Sequence, residues 1–187
     1  MFRRVRERPV VEEFLRRRSE KGAVLRKLKE QVFKATTEIL DPDRFYARLK
    51  EDLANAKYEV IIYSPFTFAK RVEWLIATKE LQDAVARGVS VKAIVKDPDE
   101  FKKPKDREVH RDNIKKLMDA GIEVYTRPKM HYKAVVVDRE VIYLGSLNAL
   151  SYFMLQEDYM VRFVSEVIAD EILNSIGEPK EDEAYSP

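Results

Sequence analysis

131-HYKAVVVDREVIYLGSLN-148 reads as two short strands joined by a turn. Residues 132–137 and 141–144 are rich in valine, isoleucine and tyrosine, and Asp138-Arg139-Glu140 between them has the polarity of a hairpin connection. On a strand over 132–137, His131 and Lys133 project from one face, and Val135 and Val137 share that parity. The returning strand delivers Gly145-Ser146-Leu147-Asn148 to the end at which His131 and Lys133 stand. Asp138 falls at the opposite end, where a turn carboxylate can bond backbone N–H groups or bond across the motif.

Outward from this hairpin the pattern alternates. Residues 58–64 (YEVIIYS) read as a buried strand ended by Pro65, residues 72–87 as a helix closed by Gly88, and residues 89–95 (VSVKAIV) as a second strand. Strand, helix and strand at this spacing form a βαβ unit, so at least part of the sheet is parallel. A polar loop over 97–107 leads to a helix over 108–120, with Ile114, Leu117 and Met118 on one face, and then to a short strand over 122–125. A strand over 158–164 and a helix over 165–175 follow. Upstream, Val24, Leu25, Leu28, Val32 and Ile39 recur at helical spacing within residues 10–40. Asp41-Pro42 then stops the chain and restarts it, with Asp41 as cap and Pro42 in the first turn of a helix lined by Phe45, Leu49 and Leu53. The expected class is α/β: a mixed central β-sheet flanked by helices, with an N-terminal helical extension. The expected division is a basic helical arm over 1–42, a catalytic domain over 43–175 and an acidic, disordered tail over 176–187.

Composition narrows the function. A 45% apolar and 36% charged chain of 187 residues can bury a core, and no stretch approaches the roughly 20 apolar residues of a membrane span. No apolar segment follows the basic start, so no signal peptide is expected. The absence of cysteine excludes disulfides and thiolate metal sites. The two histidines are far apart and no calcium or zinc pattern occurs, so neither metal nor cofactor is expected. Three glutamines and four asparagines beside high charge suit a cytoplasmic protein of a thermophile. Net charge is only +2, but residues 1–30 hold eleven Lys or Arg against five Glu. A basic head can meet phosphates, although a solvated helix face explains it equally.

The residues at the hairpin mouth suit a phosphate. Lys133 supplies a point charge, Ser146 and Asn148 supply donors, and Gly145 permits close approach of the chain. His131 can attack phosphorus or move protons near neutrality. Glu157 is a candidate to orient the imidazole, with Asp158 as the adjacent alternative. Ser64 at the end of its strand, and Arg127 and Lys129 before the site, are candidate substrate contacts. His110, beside charged residues at a helix start, reads as an exposed surface histidine.

The pattern His131, Lys133, Asp138, Gly145, Ser146 and Asn148 resembles the phospholipase D superfamily, over about residues 43–175. Residues 146–151 with Glu157 are similar to its helicase-associated nuclease-type domains. The resemblance implies a metal-independent phosphodiesterase working through a phosphohistidine, most naturally a nuclease on DNA or RNA. Two alternatives stay open: a lipid phosphodiesterase, and a non-catalytic nucleic-acid-binding module. Many relatives carry the motif twice, whereas this chain carries it once, so it is either a homodimer with a shared site, which the resemblance implies and is the expectation, or an inactive relative. A helicase or repair protein is a further expected partner, and a membrane is not.

Overall fold

The computed structural model describes residues 36–151 and 157–186, together with the single Ala23. Of the helical arm expected over residues 1–42, residues 1–35 otherwise lie outside the described residues. In chain order the elements are β1 (Thr36–Leu40), α1 (Pro42–Asn55), β2 (Glu59–Tyr63), α2 (Ala69–Ala77), α3 (Lys79–Ala86) and β3 (Ser90–Lys96). They continue with α4 (Pro104–Asp119), β4 (Glu123–Arg127), β5 (Ala134–Val137), β6 (Val141–Gly145), β7 (Met160–Val164) and α5 (Glu166–Ile176). One mixed sheet has the order β1-β7-β6-β5-β2-β3-β4. Strands β2, β3 and β4 are parallel, and every other pairing is antiparallel. This is the expected α/β architecture.

Its local causes are visible. Asp41 accepts the Arg44 N–H at 2.9 Å and Pro42 fills the first turn, so α1 starts where the sequence says it should. Phe45, Leu49 and Leu53 are then buried against the sheet. Their core is shared with Val60, Ile62, Val91, Ala93 and Val95 from the parallel strands. Gly88 has φ +87°, a conformation in which a Cβ is strained, and it turns α3 into β3.

Four expectations need correction. Residues 36–40 are not helical: they form β1, paired antiparallel with β7 from Thr36↔Val164 to Leu40↔Met160. The helix over 72–87 is two helices, because Thr78 is extended and bonds back to the Leu75 carbonyl through both N–H and hydroxyl. The tail over 176–187 is ordered as far as residue 186. Glu181–Glu183 form a 3₁₀ turn, Tyr185 N–H donates to the Val124 carbonyl at 2.9 Å, and Ala184 bridges to Tyr125. His110 is not a surface residue but only 2% exposed. Its Nδ1 lies 2.8 Å from the Thr67 hydroxyl and its Nε2 2.9 Å from the Lys96 carbonyl, and burial lowers its pKa. A ring nitrogen facing a carbonyl carries the proton, so neutral His110 donates from Nε2 and accepts from Thr67 at Nδ1.

Candidate functional site

Strand β5 begins at Ala134, so His131 and Lys133 lie in the segment leading into it rather than on the strand itself. The shared-face argument therefore does not place them. The strand pairing does. Ala134 lies opposite Leu144 on β6 and opposite Tyr63 on β2. The Gly145 N–H carries the ladder one step further, to the Lys133 carbonyl at 3.5 Å. His131, Lys133 and the turn 145–148 thus meet at one end of the sheet, beside the C-terminal end of β2. That is where open α/β sheets present ligand sites.

The imidazole of His131 is exposed and has no hydrogen-bond partner among the described residues. Lys133 is half-buried, and its ammonium donates to the His131 carbonyl at 3.1 Å, which folds the lysine back over the histidine's own segment. The loop carrying Asn148 is fixed on both sides. Leu147, Ala149 and Leu150 are buried, the Ala149 carbonyl accepts from the Tyr46 hydroxyl, and the Leu150 N–H donates to the Ser64 hydroxyl. Asn148 is held between them with a buried Oδ1 that has no hydrogen-bond partner among the described residues. Ser146 donates its hydroxyl to Asp158 at 2.6 Å and accepts the Tyr159 N–H at 3.2 Å. The carboxylate brought to the motif is thus that of Asp158. Glu157 is exposed, without a hydrogen-bond partner among the described residues.

Gly145 shows why the motif needs a glycine. A Cβ there would stand 2.1 Å from the Tyr159 carbonyl oxygen and 3.0 Å from Met160 Cα, both backbone atoms that cannot step aside. We expect Gly145→Ala to push β6 from β7, to cost about 1–3 kcal/mol as other over-packed sites do, and to lower activity through displacement of Ser146. Thermal unfolding checks it; a melting temperature within a degree of the parent would contradict the close packing of β6 on β7.

Asp138 sits apart, across the length of β5. Its Oδ1 accepts the Tyr58 and Glu59 N–H groups at 2.8 and 3.0 Å, and its Oδ2 accepts the Lys57 N–H at 2.8 Å. The carboxylate, with φ +52°, pins the hairpin turn to the start of β2. At about 3.3 Å per residue the four strand residues alone separate it from Lys133 by more than ~10 Å.

Two expected substrate contacts are corrected. Ser64 is fully buried, and its hydroxyl is occupied by the Phe66 carbonyl and the Leu150 N–H. Arg127 bonds both oxygens of Glu183 and the carbonyls of Ile176, Gly177 and Glu178. It fastens the tail to α5. Lys129 keeps an exposed side chain at φ +53°, while its N–H donates to Glu100. Sequence reasoning missed this Glu100 tie, whose two residues are 29 positions apart.

No group of three or more metal-ligating side chains occurs among the described residues. None of their helices is long and apolar enough to cross a membrane.

Comparison with known proteins bears on this geometry. Residues 49–178 match a family described as cardiolipin synthase, phospholipase D-like domain. Nuc, a phospholipase D family member from Salmonella typhimurium, is similar in structure with a TM-score of 0.59 at 16% identity, covering 81% of this chain and 97% of that one. NucT from Helicobacter pylori gives 0.58 at 14% identity, over 82% and 99%. TrmBL2, an archaeal chromatin protein with a novel mode of DNA binding, gives 0.53 at 17% identity, over 98% and 71%. No curated protein matches the chain.

Proposed function

The chain belongs to the phospholipase D-like domain family, and from that premise we propose that it is a phosphodiesterase that cleaves nucleic acid through a phosphohistidine. The observation that supports this reading most is the meeting of an exposed His131 with Lys133 and Asn148 at one end of the sheet. Neutral His131 attacks phosphorus, and the bond to the leaving oxygen breaks. Lys133 and the amide donors of Asn148 take the charge that develops on the non-bridging oxygens. Water then attacks the phosphohistidine, the P–N bond breaks, and the histidine is regenerated.

The leaving oxygen needs a proton, and an imidazole supplies it best near neutrality. His110 is unsuited, since it is buried and both of its ring nitrogens are engaged. The donor in our reading is His131 of a second copy, so the active species is a homodimer with its two-fold axis through the cleft. Asp158 acts through Ser146 to hold the motif in place. We set the reaction in the cytoplasm.

A lipid phosphodiester is the rival substrate. Oligonucleotides and phosphatidylcholine vesicles, offered side by side in excess EDTA, separate the two. We expect cleavage of the oligonucleotides alone, undiminished by chelation. Cleavage of the lipid alone would refute the substrate class, and activity abolished by chelator and restored by magnesium would refute the mechanism. The likeness to TrmBL2 favours a second reading, DNA binding without chemistry. It predicts tight binding with no turnover under any condition.

A further inference from the structure

Beside the histidine segment lies an aromatic surface that the chemistry above does not use. Phe66 follows the end of β2 and is 40% exposed. Its ring meets Phe101 edge to face, with centroids 6.0 Å apart and planes at 76°. Lys96 Nζ stands 6.0 Å from the first ring centroid and 5.7 Å from the second. Behind Phe101 lies the His110 ring at 4.7 Å, itself locked by Thr67 and Lys96.

The platform is held rigidly. The Arg107 guanidinium donates to the Phe101 carbonyl at 2.6 Å, and Asp97 caps the 3₁₀ turn Pro98–Glu100. It is also tied to the site: the Glu100 carboxylate accepts the N–H of Lys129, two residues before His131. Next along the chain come Lys102, Lys103 and Lys105, all exposed. None of their three ammonium groups has an ion-pair or hydrogen-bond partner among the described residues.

An exposed phenyl ring backed by a half-buried one, beside a basic run, suits one ligand. Bases of an unpaired strand stack on aromatic faces while lysines follow the phosphates. A duplex hides its base faces and cannot use the rings. We propose that Phe66 and Phe101 form a stacking platform for a base of single-stranded nucleic acid, with Lys102, Lys103 and Lys105 along its backbone. The proposal rests on the reading of the His131 site as a nuclease and adds where the strand runs and why it must be unpaired.

The test compares two oligomers of about 12 nucleotides, within the site sizes such surfaces cover: oligothymidylate and an abasic strand of equal length and charge. Binding and cleavage are measured for the parent, Phe66→Ala and Phe66→Leu; the leucine keeps apolar contact with Phe101. We expect the parent to bind oligothymidylate roughly tenfold more tightly than the abasic strand, and both variants to lose the difference. Replacing the three lysines by glutamine should flatten the salt dependence of log K by about 2, near 0.7 per phosphate contact on a single strand. Equal binding of the two oligomers by the parent overturns the platform. So does a preference that survives both Phe66 variants, or duplex bound as tightly as single strand. A base preference in binding with no cleavage of either oligomer supports the platform and refutes the nuclease reading.

Discussion

His131→Ala should lower oligonucleotide turnover by at least roughly a thousandfold, the scale on which loss of a covalent nucleophile is felt. Stability should barely change, because the imidazole is exposed and bonded to nothing among the described residues. The pairing of a lost activity with an unchanged melting temperature separates a chemical role from a structural one. The shared site makes a sharper demand. When equal amounts of parent and His131→Ala subunits exchange freely, about a quarter of the dimers hold two histidines. Activity per subunit should then fall to about a quarter of the parent's. A fall to one half means that each subunit works alone. Activity within about tenfold of the parent in the pure variant would remove His131 from the chemistry altogether.

Arg162→Ala should destabilise the fold by about 3 kcal/mol or more, the cost of breaking a buried ion pair by removing one partner. Arg162 stands on β7 with its side chain only 6% exposed. Its Nε and Nη2 grip both oxygens of Asp52 at 2.9 Å, and its Nη1 reaches Glu38 at 3.0 Å. Asp52 also accepts the hydroxyl of the buried Tyr143, whose ionisation is pushed far up, first by burial and then by that carboxylate. One guanidinium therefore joins β7, β6, α1 and β1. Its loss leaves a carboxylate uncompensated between helix and sheet, and for a chain of this size the melting temperature should drop on the order of 10 °C. Asp52→Asn combined with Arg162→Met should recover part of the loss, since it removes the stranded charge. A cost under about 1 kcal/mol for Arg162→Ala would show that water reaches the pair and screens it.

The legible and illegible parts of the sequence divide by the range of the interactions. Asp41-Pro42, the turn at Asp138 and the βαβ unit from β2 to β3 are local patterns, and the chain follows them. The motif residues of the hairpin are legible as well, because a two-strand register brings them together whether or not His131 is on the strand. Strand β1 is not. Residues 36–40 continue a helical spacing, and only β7, more than a hundred residues later, makes them extended. His110 is misread for the same reason: its partners Thr67 and Lys96 lie 43 and 14 positions away, and nothing in its charged neighbourhood announces them. The tail looked disordered by composition, yet Glu183 meets Arg127 across 56 positions. Arg127 and Ser64 looked like ligands because polar residues near a motif invite that reading, while burial and bonding engage them elsewhere.

The segment laid along β4 has a colloidal consequence. A terminal strand offers its unpaired amides to any other extended peptide, and stacking of identical chains on such a border is a route to fibres. Here Tyr185 and Ala184 engage that border, and Glu181 and Asp182 place two exposed carboxylates at its rim beside Glu183, which is paired with Arg127. A second molecule approaching edge-on meets like charge before it meets a free amide. These five residues thus govern how crowded a preparation can become before molecules begin to pair strand to strand, and proteolytic trimming of them would be felt first as turbidity.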